Sequence, residues 1–218
     1  MMFSEGAKKT ALYTWYLLLV YFCYLMLLIT LQYIPVNLQA AFLSIKEDVV
    51  GRRYYQIAFF SHVYTSMLIL LAGMIQFPAQ LRKSYPGFHR WFGRFYVAAI
   101  LFVAGPAGLV MSIHANGGLT AQLAFSILSI LWILFTYKAF YAAYTGNIRA
   151  HKIWMYRSYA LTLSALSLRL WKWLFVVLFE PRPMDVYQVV AWLGWLGNLL
   201  IAELLIYYVI QNAKPAPQ

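Results

Sequence analysis

Six runs of about twenty mostly apolar residues, each long enough to cross a hydrocarbon core of about 30 Å, decide what this chain folds into. They cover residues 11–31, 56–78, 91–113, 120–144, 153–178 and 187–210. Over the whole chain 63% of residues are hydrophobic and 11% charged, whereas soluble domains average about 45–50% and about 25%. The excess apolar surface has to face lipid. A soluble enzyme, a secreted disulfide scaffold and a soluble nucleic-acid binder are excluded. Helices satisfy their own backbone hydrogen bonds in lipid, and an open strand edge does not. The expected fold is therefore all-α, an integral membrane bundle of six transmembrane helices. It forms one domain over residues 1–218, with a four-helix core at about 55–178 and flanking spans at 11–31 and 187–210. The first run follows Lys8 and Lys9. It lacks a small-residue cleavage site and reads as an uncleaved span rather than a signal peptide.

The net charge of +11 is not a nucleic-acid signature here, because the bases sit between apolar runs, where they set orientation. With the N-terminus cytoplasmic, the inner bases are Lys8, Lys9, Arg82, Lys83, Arg90, Arg94, Lys138, Arg149, Lys152, Arg157 and Lys214. The outer ones are Lys46, Arg52, Arg53, Arg169, Lys172 and Arg182. Eleven against six predicts both termini inside. The one cysteine, Cys23, lies within an apolar run and forms no internal disulfide.

Four histidines fall at two depths of this six-span layout. His62 lies about six residues into the second run from its outer end, and His114 closes the third run on the same side. His89 and His151 open the third and fifth runs on the inner side. At 1.5 Å per residue, His89 and His114 stand about 37 Å apart on one helix, so one metal cannot use all four. Two sites of two histidines each remain. Axial bis-histidine ligation of a haem iron is the use that fits such pairs; a structural zinc wants four ligands in one place. The plain alternative is that all four are interfacial, since His89 and His151 each neighbour a base and a tryptophan.

Two inner segments repeat one pattern. His89-Arg90-Trp91-Phe92-Gly93-Arg94-Phe95-Tyr96 and His151-Lys152-Ile153-Trp154-Met155-Tyr156-Arg157-Ser158-Tyr159 each give a histidine, a base, an aromatic, a second base and a tyrosine. They mark either two snorkelling entrances or a matched pair of ligand helices whose bases, Arg90, Arg94 and Arg157 among them, neutralise an anionic group. The segments HRWFGRFY and HKIWMYRSYALTLSALSLRL, with SHVYTSMLILLAGMIQF upstream, resemble a family of bacterial multispan membrane proteins classed as a domain of unknown function. The resemblance covers roughly residues 55–175 and implies a bacterial inner-membrane location. More distantly the layout is similar to diheme transmembrane b-type cytochromes, in which four helices each give one axial histidine, paired at two depths. That likeness implies an inner haem b on His89 and His151 and an outer one on His62 and His114. In this chain the third span carries two of the histidines and the fourth carries none.

Glu203 is the one acid deep in a run, and intramembrane acids usually face the bundle interior. Arg169 and Lys172 lie towards the outer end of the fifth run, where they bind an anionic group or snorkel. Asn198, Ser164 and Ser167 are candidates for hydrogen bonds between helices. Gly105-Pro106 should kink the third span and leave a carbonyl for a neighbour. No nucleotide, hydrolase or dithiol motif occurs. The expected function is haem-b electron transfer, oxidising a quinol or other small reductant. A cofactor-free transporter or small-molecule binder, and an accessory subunit or homo-oligomer within a membrane complex, stand as alternatives.

Overall fold

The computed structural model describes residues 5–180 and 182–211, and among these all regular structure is helical. Helix α1 spans Glu5–Leu31, α2 Arg53–Met74, α3 Ala79–Ser84, α4 Pro86–Ile113, α5 Gly118–Tyr144, α6 Ile148–Thr162, α7 Ser164–Phe179 and α8 Pro183–Leu205. A π turn at Ile206–Gln211 prolongs α8. By length and composition, four described helices can cross a membrane: α2, α4, α5 and the Asp185–Tyr208 part of the last. Helices α6 and α7, bent by 40° at Leu163, supply a fifth span when taken together. The apolar stretch of α1, Tyr16–Leu31, is shorter. The structure thus gives four to five spans where six were expected. Lys214 and the side chains of Lys8 and Lys9 lie outside the described residues.

Two compact units divide the chain, residues 1–47 and 48–218. In the first, Tyr33 follows α1 and is buried, and its hydroxyl accepts from the Phe42 amide at 3.2 Å. That bond ties the segment after α1 to a short 3-10 turn at Ala41–Ile45.

In the second unit the helices run alternately up and down. Local chemistry sets where each begins and ends. Pro86 occupies the first turn of α4, where its missing N–H costs nothing. Gly117 and Gly118, with φ of +95° and +69°, make the turn into α5. Asn147 caps α6 by accepting from the Ala150 amide at 3.0 Å. Pro183 opens α8. One end of the unit therefore carries Gln76, His89, Tyr144 and His151, and the other carries Arg53, His114 and Phe179. These are called below the His89 end and the His114 end.

Lipid tails are as apolar as leucine, so helix association here rests on close packing and hydrogen bonds. The main core joins Ile69 and Ala72 of α2, Tyr96, Ala99, Ile100 and Ala104 of α4, Trp132 of α5, Tyr159 and Leu161 of α6, and Trp195 of α8. Trp195 brings α8 into contact with this core. Ala121, Ala124 and Ala191 form a smaller cluster, and their small side chains let α5 and α8 approach closely. Large apolar residues such as Phe102, Leu200 and Ile201 stay exposed, as lipid-facing positions should.

Two irregularities are repaired by neighbours. Ahead of Pro106, residues Ile100–Ala104 widen into a π turn, and Pro86–Ile113 remains one span. At the end of that turn the Ala104 carbonyl accepts from His62 Nδ1 of α2 at 2.8 Å; the carbonyl that Pro106 itself leaves without an N–H is the one four residues back, at Phe102. At the break between α6 and α7, Asn198 of α8 donates from Nδ2 to the Ala160 carbonyl at 3.0 Å. It also accepts from Ser167 Oγ at 2.8 Å.

Candidate functional site

At the His89 end, His89 sits in the first turn of α4 and His151 in the first turn of α6. His151, Arg82 and Arg90 lie within electrostatic range of the His89 ring. The two histidines that the sequence singled out as an inner pair thus each open a helix, α4 and α6. His151 Nδ1 bonds to the Ala139 carbonyl of α5 at 2.9 Å. A carbonyl only accepts, so Nδ1 carries the proton and Nε2 of a neutral ring keeps its lone pair. His89 Nδ1 is buried without a hydrogen-bond partner. Gln76, just beyond α2, is buried and its Nε2 likewise has none. The Gln76 Oε1 atom lies 3.5 Å from where a Cβ on Gly93 would stand, and Gly93 is one turn from His89 on the same helix face. Arg82 closes the end of α2 by donating to the Phe77 carbonyl at 2.5 Å and to Gln76 at 3.3 Å. Arg90 and Arg94 are exposed.

His62 and His114 do not form a matching pair. Because α2 begins at Arg53, three residues before the expected run, His62 is nine residues into it and close to its middle. It lies against Gly108, and its ring meets Trp132 edge-on at 6.4 Å between centroids. His114 caps the far end of α4, where Nε2 bonds to Tyr54 Oη at 2.9 Å and the ring packs edge-on against Tyr55. Tyr54 and His62 are eight residues apart, about 12 Å along α2, and that is the difference in level between the two imidazoles.

Between these regions runs a chain of buried hydroxyls. Trp132 Nε1 donates to Thr162 Oγ1 at 3.0 Å. Thr162 contacts Tyr96 Oη at 2.8 Å, Tyr96 contacts Ser158 Oγ at 2.9 Å, and Ser158 contacts Thr136 Oγ1 at 2.7 Å. Thr136 finally donates to the Trp132 carbonyl at 2.7 Å. An indole N–H only donates, and a carbonyl only accepts. Running every hydroxyl in the same direction from one to the other satisfies all of them, and it joins α4, α5 and α6. Tyr159 Oη donates to the Leu70 carbonyl of α2 at 3.3 Å. A Cβ at Gly73 would strike the Tyr159 ring and stand 3.0 Å from Tyr96 Cε2, so this glycine seats the two tyrosines that end the repeated segments. The sequence marked Tyr96 and Tyr159 only as the last residues of the two repeated segments. The signal available was three hydroxyl residues, Thr136, Ser158 and Thr162, inside apolar runs.

Glu203 of α8 is not alone in the bundle. Arg157 donates to it twice, from Nε to Oε1 at 2.6 Å and from Nη2 to Oε2 at 2.9 Å. The carboxylate's side chain is 48% exposed, so it sits at the edge of the bundle, paired, and Arg157 is committed to it. Toward the other end, Arg169 donates to the Ala165 carbonyl at 2.7 Å. Lys172 donates to Tyr187 Oη at 3.1 Å and lies over the same ring. Among the described residues no three His, Cys, Asp or Glu side chains gather into one metal-binding group.

Residues 59–206 match the model of a family described as "Predicted membrane protein (DUF2306)", and the chain belongs to that family. No curated protein and no solved structure matches it.

Proposed function

We propose that this DUF2306 protein is a haem-b electron carrier of a bacterial inner membrane, with one haem held between His89 and His151 at the cytoplasmic side. In this reading all six helical stretches cross the bilayer and both termini are cytoplasmic. Electrons come from a quinol or another small reductant. The observation that carries the reading is the leftover polar capacity at the His89 end. His151 is anchored through Nδ1 to a backbone carbonyl, the support that metal-bound histidines ordinarily have, and its Nε2 is left to ligate. His89, within electrostatic range of it, has a buried nitrogen with no protein partner. Buried polar atoms are costly to leave unpaired, so an orphan marks a place where something else binds. Gly93, one turn on, brings the Gln76 side chain against the same helix face.

When bound, haem iron supplies one-electron redox chemistry. The chain's own residues do the rest. His89 and His151 fix the level of the site, Gln76 offers an amide donor at its edge, and Arg90 and Arg94 offer positive charge to propionates at the surface. Trp91 and Phe92 supply apolar walls. Purification of the full chain after haem-replete expression tests the reading. A Soret band is expected, with His89→Ala and His151→Ala each removing the haem and His62→Ala and His114→Ala retaining it. A colourless wild-type protein overturns it.

A further inference from the structure

A second charged site lies on the outside of the bundle, where α5, α6 and α8 meet. The Trp154 ring of α6 has two cations on it. Lys138 Nζ of α5 is 4.5 Å from the ring centroid, and the Arg157 guanidinium is 4.6 Å from it. Phe135 packs on the same ring at 5.4 Å. Glu203 neutralises Arg157 alone. Two cations and one carboxylate leave this corner one positive charge in excess. It also has donors to spare: Arg157 uses two of its five N–H groups on Glu203, and Lys138 meets a ring face instead of a carboxylate.

Depth sets the chemistry of a partner. Helix α5 has 27 residues, about 40 Å, and so exceeds a hydrocarbon core of about 30 Å by about 5 Å at each end. Lys138 is six residues before Tyr144, the end of α5, or about 9 Å. Its backbone thus lies just below the headgroup level, and its stem reaches that level. Tyr141 and Tyr144, one turn and nearly two turns further on, are exposed, as residues of an interfacial aromatic belt are. Lys138 is exposed while Arg157 and Trp154 are half-buried, which makes an open corner with a charged rim and an aromatic floor.

We propose that this corner binds the phosphate of one anionic phospholipid, with Lys138 and the unused N–H groups of Arg157 as donors and Trp154 as the surface that holds both cations in place. Glu203 sets the strength by cancelling one of the two charges. The site does not depend on the haem reading, and its test reads no colour.

The full-length protein in mixed micelles is titrated with phosphatidylglycerol, with phosphatidylcholine and with inorganic phosphate. Bound lipid is counted by native mass spectrometry, and unfolding temperature is followed in parallel. The wild type should prefer phosphatidylglycerol. Lys138→Gln should lower that preference about fivefold, the weight of one lysine near an anionic leaflet. Lys138→Arg should keep it. Glu203→Gln should raise it, an opposite sign that loss of folding does not produce. Lys83→Gln, an exposed base elsewhere, should leave it unchanged. An unaltered preference in Lys138→Gln, an equal fall in Lys83→Gln, or the same stabilisation by inorganic phosphate alone would each overturn the proposal.

Discussion

His62 and His89 both sit on helices of the same bundle, and the structure treats their rings in opposite ways. The His62 ring is spent on the fold. Its Nδ1 donates to the Ala104 carbonyl of α4, its edge meets Trp132, and Gly108 makes room for it. The His89 ring has a buried nitrogen left over, and Gln76 beside Gly93 has another. Residue type is identical in the two places. What differs is whether folding uses the polar capacity, and unused capacity is the better pointer to a binding site. The hydroxyl chain belongs with His62. Every group in it is satisfied by another, so it locks helices without offering anything to a ligand.

The largest effect should come from breaking the locked region where backbone and ring meet. Gly73→Leu puts a side chain where the Tyr159 and Tyr96 rings lie. Both rings then have to move, taking the Tyr159–Leu70 bond and the hydroxyl chain with them. The expected cost is about 3 kcal/mol, the upper end of the overpacking range. It should appear as a fall in folded yield and in the denaturant midpoint in mixed micelles. An unchanged midpoint would mean the tyrosines are not seated on α2.

Next comes Tyr96→Phe, which keeps the ring and removes one oxygen. Thr162 and Ser158 each lose one partner in a dry interior, where unmet hydrogen-bonding capacity costs about 1–3 kcal/mol. Thr162 keeps Trp132 Nε1 and the Ser158 carbonyl at 3.2 Å, and Ser158 keeps Thr136. A destabilisation of about 2 kcal/mol is expected from equilibrium unfolding. Interhelical hydrogen bonds in membranes average nearer 0.6 kcal/mol, so a value that small would show that the freed hydroxyls turn to nearby backbone carbonyls.

These residues also show how far the sequence could be read. The apolar runs located the helices, because lipid imposes a length that composition alone reveals. Their ends were set too short at α2, α4 and α6, where polar and basic residues such as Arg53, His89 and Arg149 are already helical. That shift moved His62 from the outer third to the middle. The break at Leu163 carries no glycine or proline and is held from outside by Asn198, so only the neighbour's position reveals it. Tyr96 and Ser158 are 62 residues apart, and no periodicity within one helix connects them. That His89 and His151 each stand at the start of a helix was readable, because each opens an apolar run. The fate of each ring nitrogen was not, since it depends on Ala139 and Gln76, which carry no motif.

The comparison sharpens when His62→Ala and His89→Ala are measured side by side. His62→Ala takes the donor from the Ala104 carbonyl and opens a gap against Trp132, for about 1–2 kcal/mol of stability. His89→Ala removes an imidazole whose Nδ1 has no partner to lose, and its stability cost should be smaller. On the proposed reading it removes the haem, which His62→Ala leaves bound. Stability from unfolding curves and haem content from absorbance should therefore move in opposite orders. Parallel losses in both would erase the distinction between a spent ring and an available one.

The smallest effect tests whether being spent matters without burial. His114 bonds to Tyr54 as firmly, by distance, as His62 bonds to Ala104, at 2.9 Å against 2.8 Å. Tyr54, however, is exposed at the end of α2, where water or headgroups replace any partner it loses. Tyr54→Phe should therefore shift the unfolding midpoint by less than about 0.5 kcal/mol, several times less than Tyr96→Phe, although each removes one phenolic oxygen. The two variants share chemistry and differ in solvent, so their ratio measures what the dry interior adds to a hydrogen bond. A Tyr54→Phe cost equal to that of Tyr96→Phe would place the His114 end deep in the hydrocarbon and would require the spans to be redrawn around it.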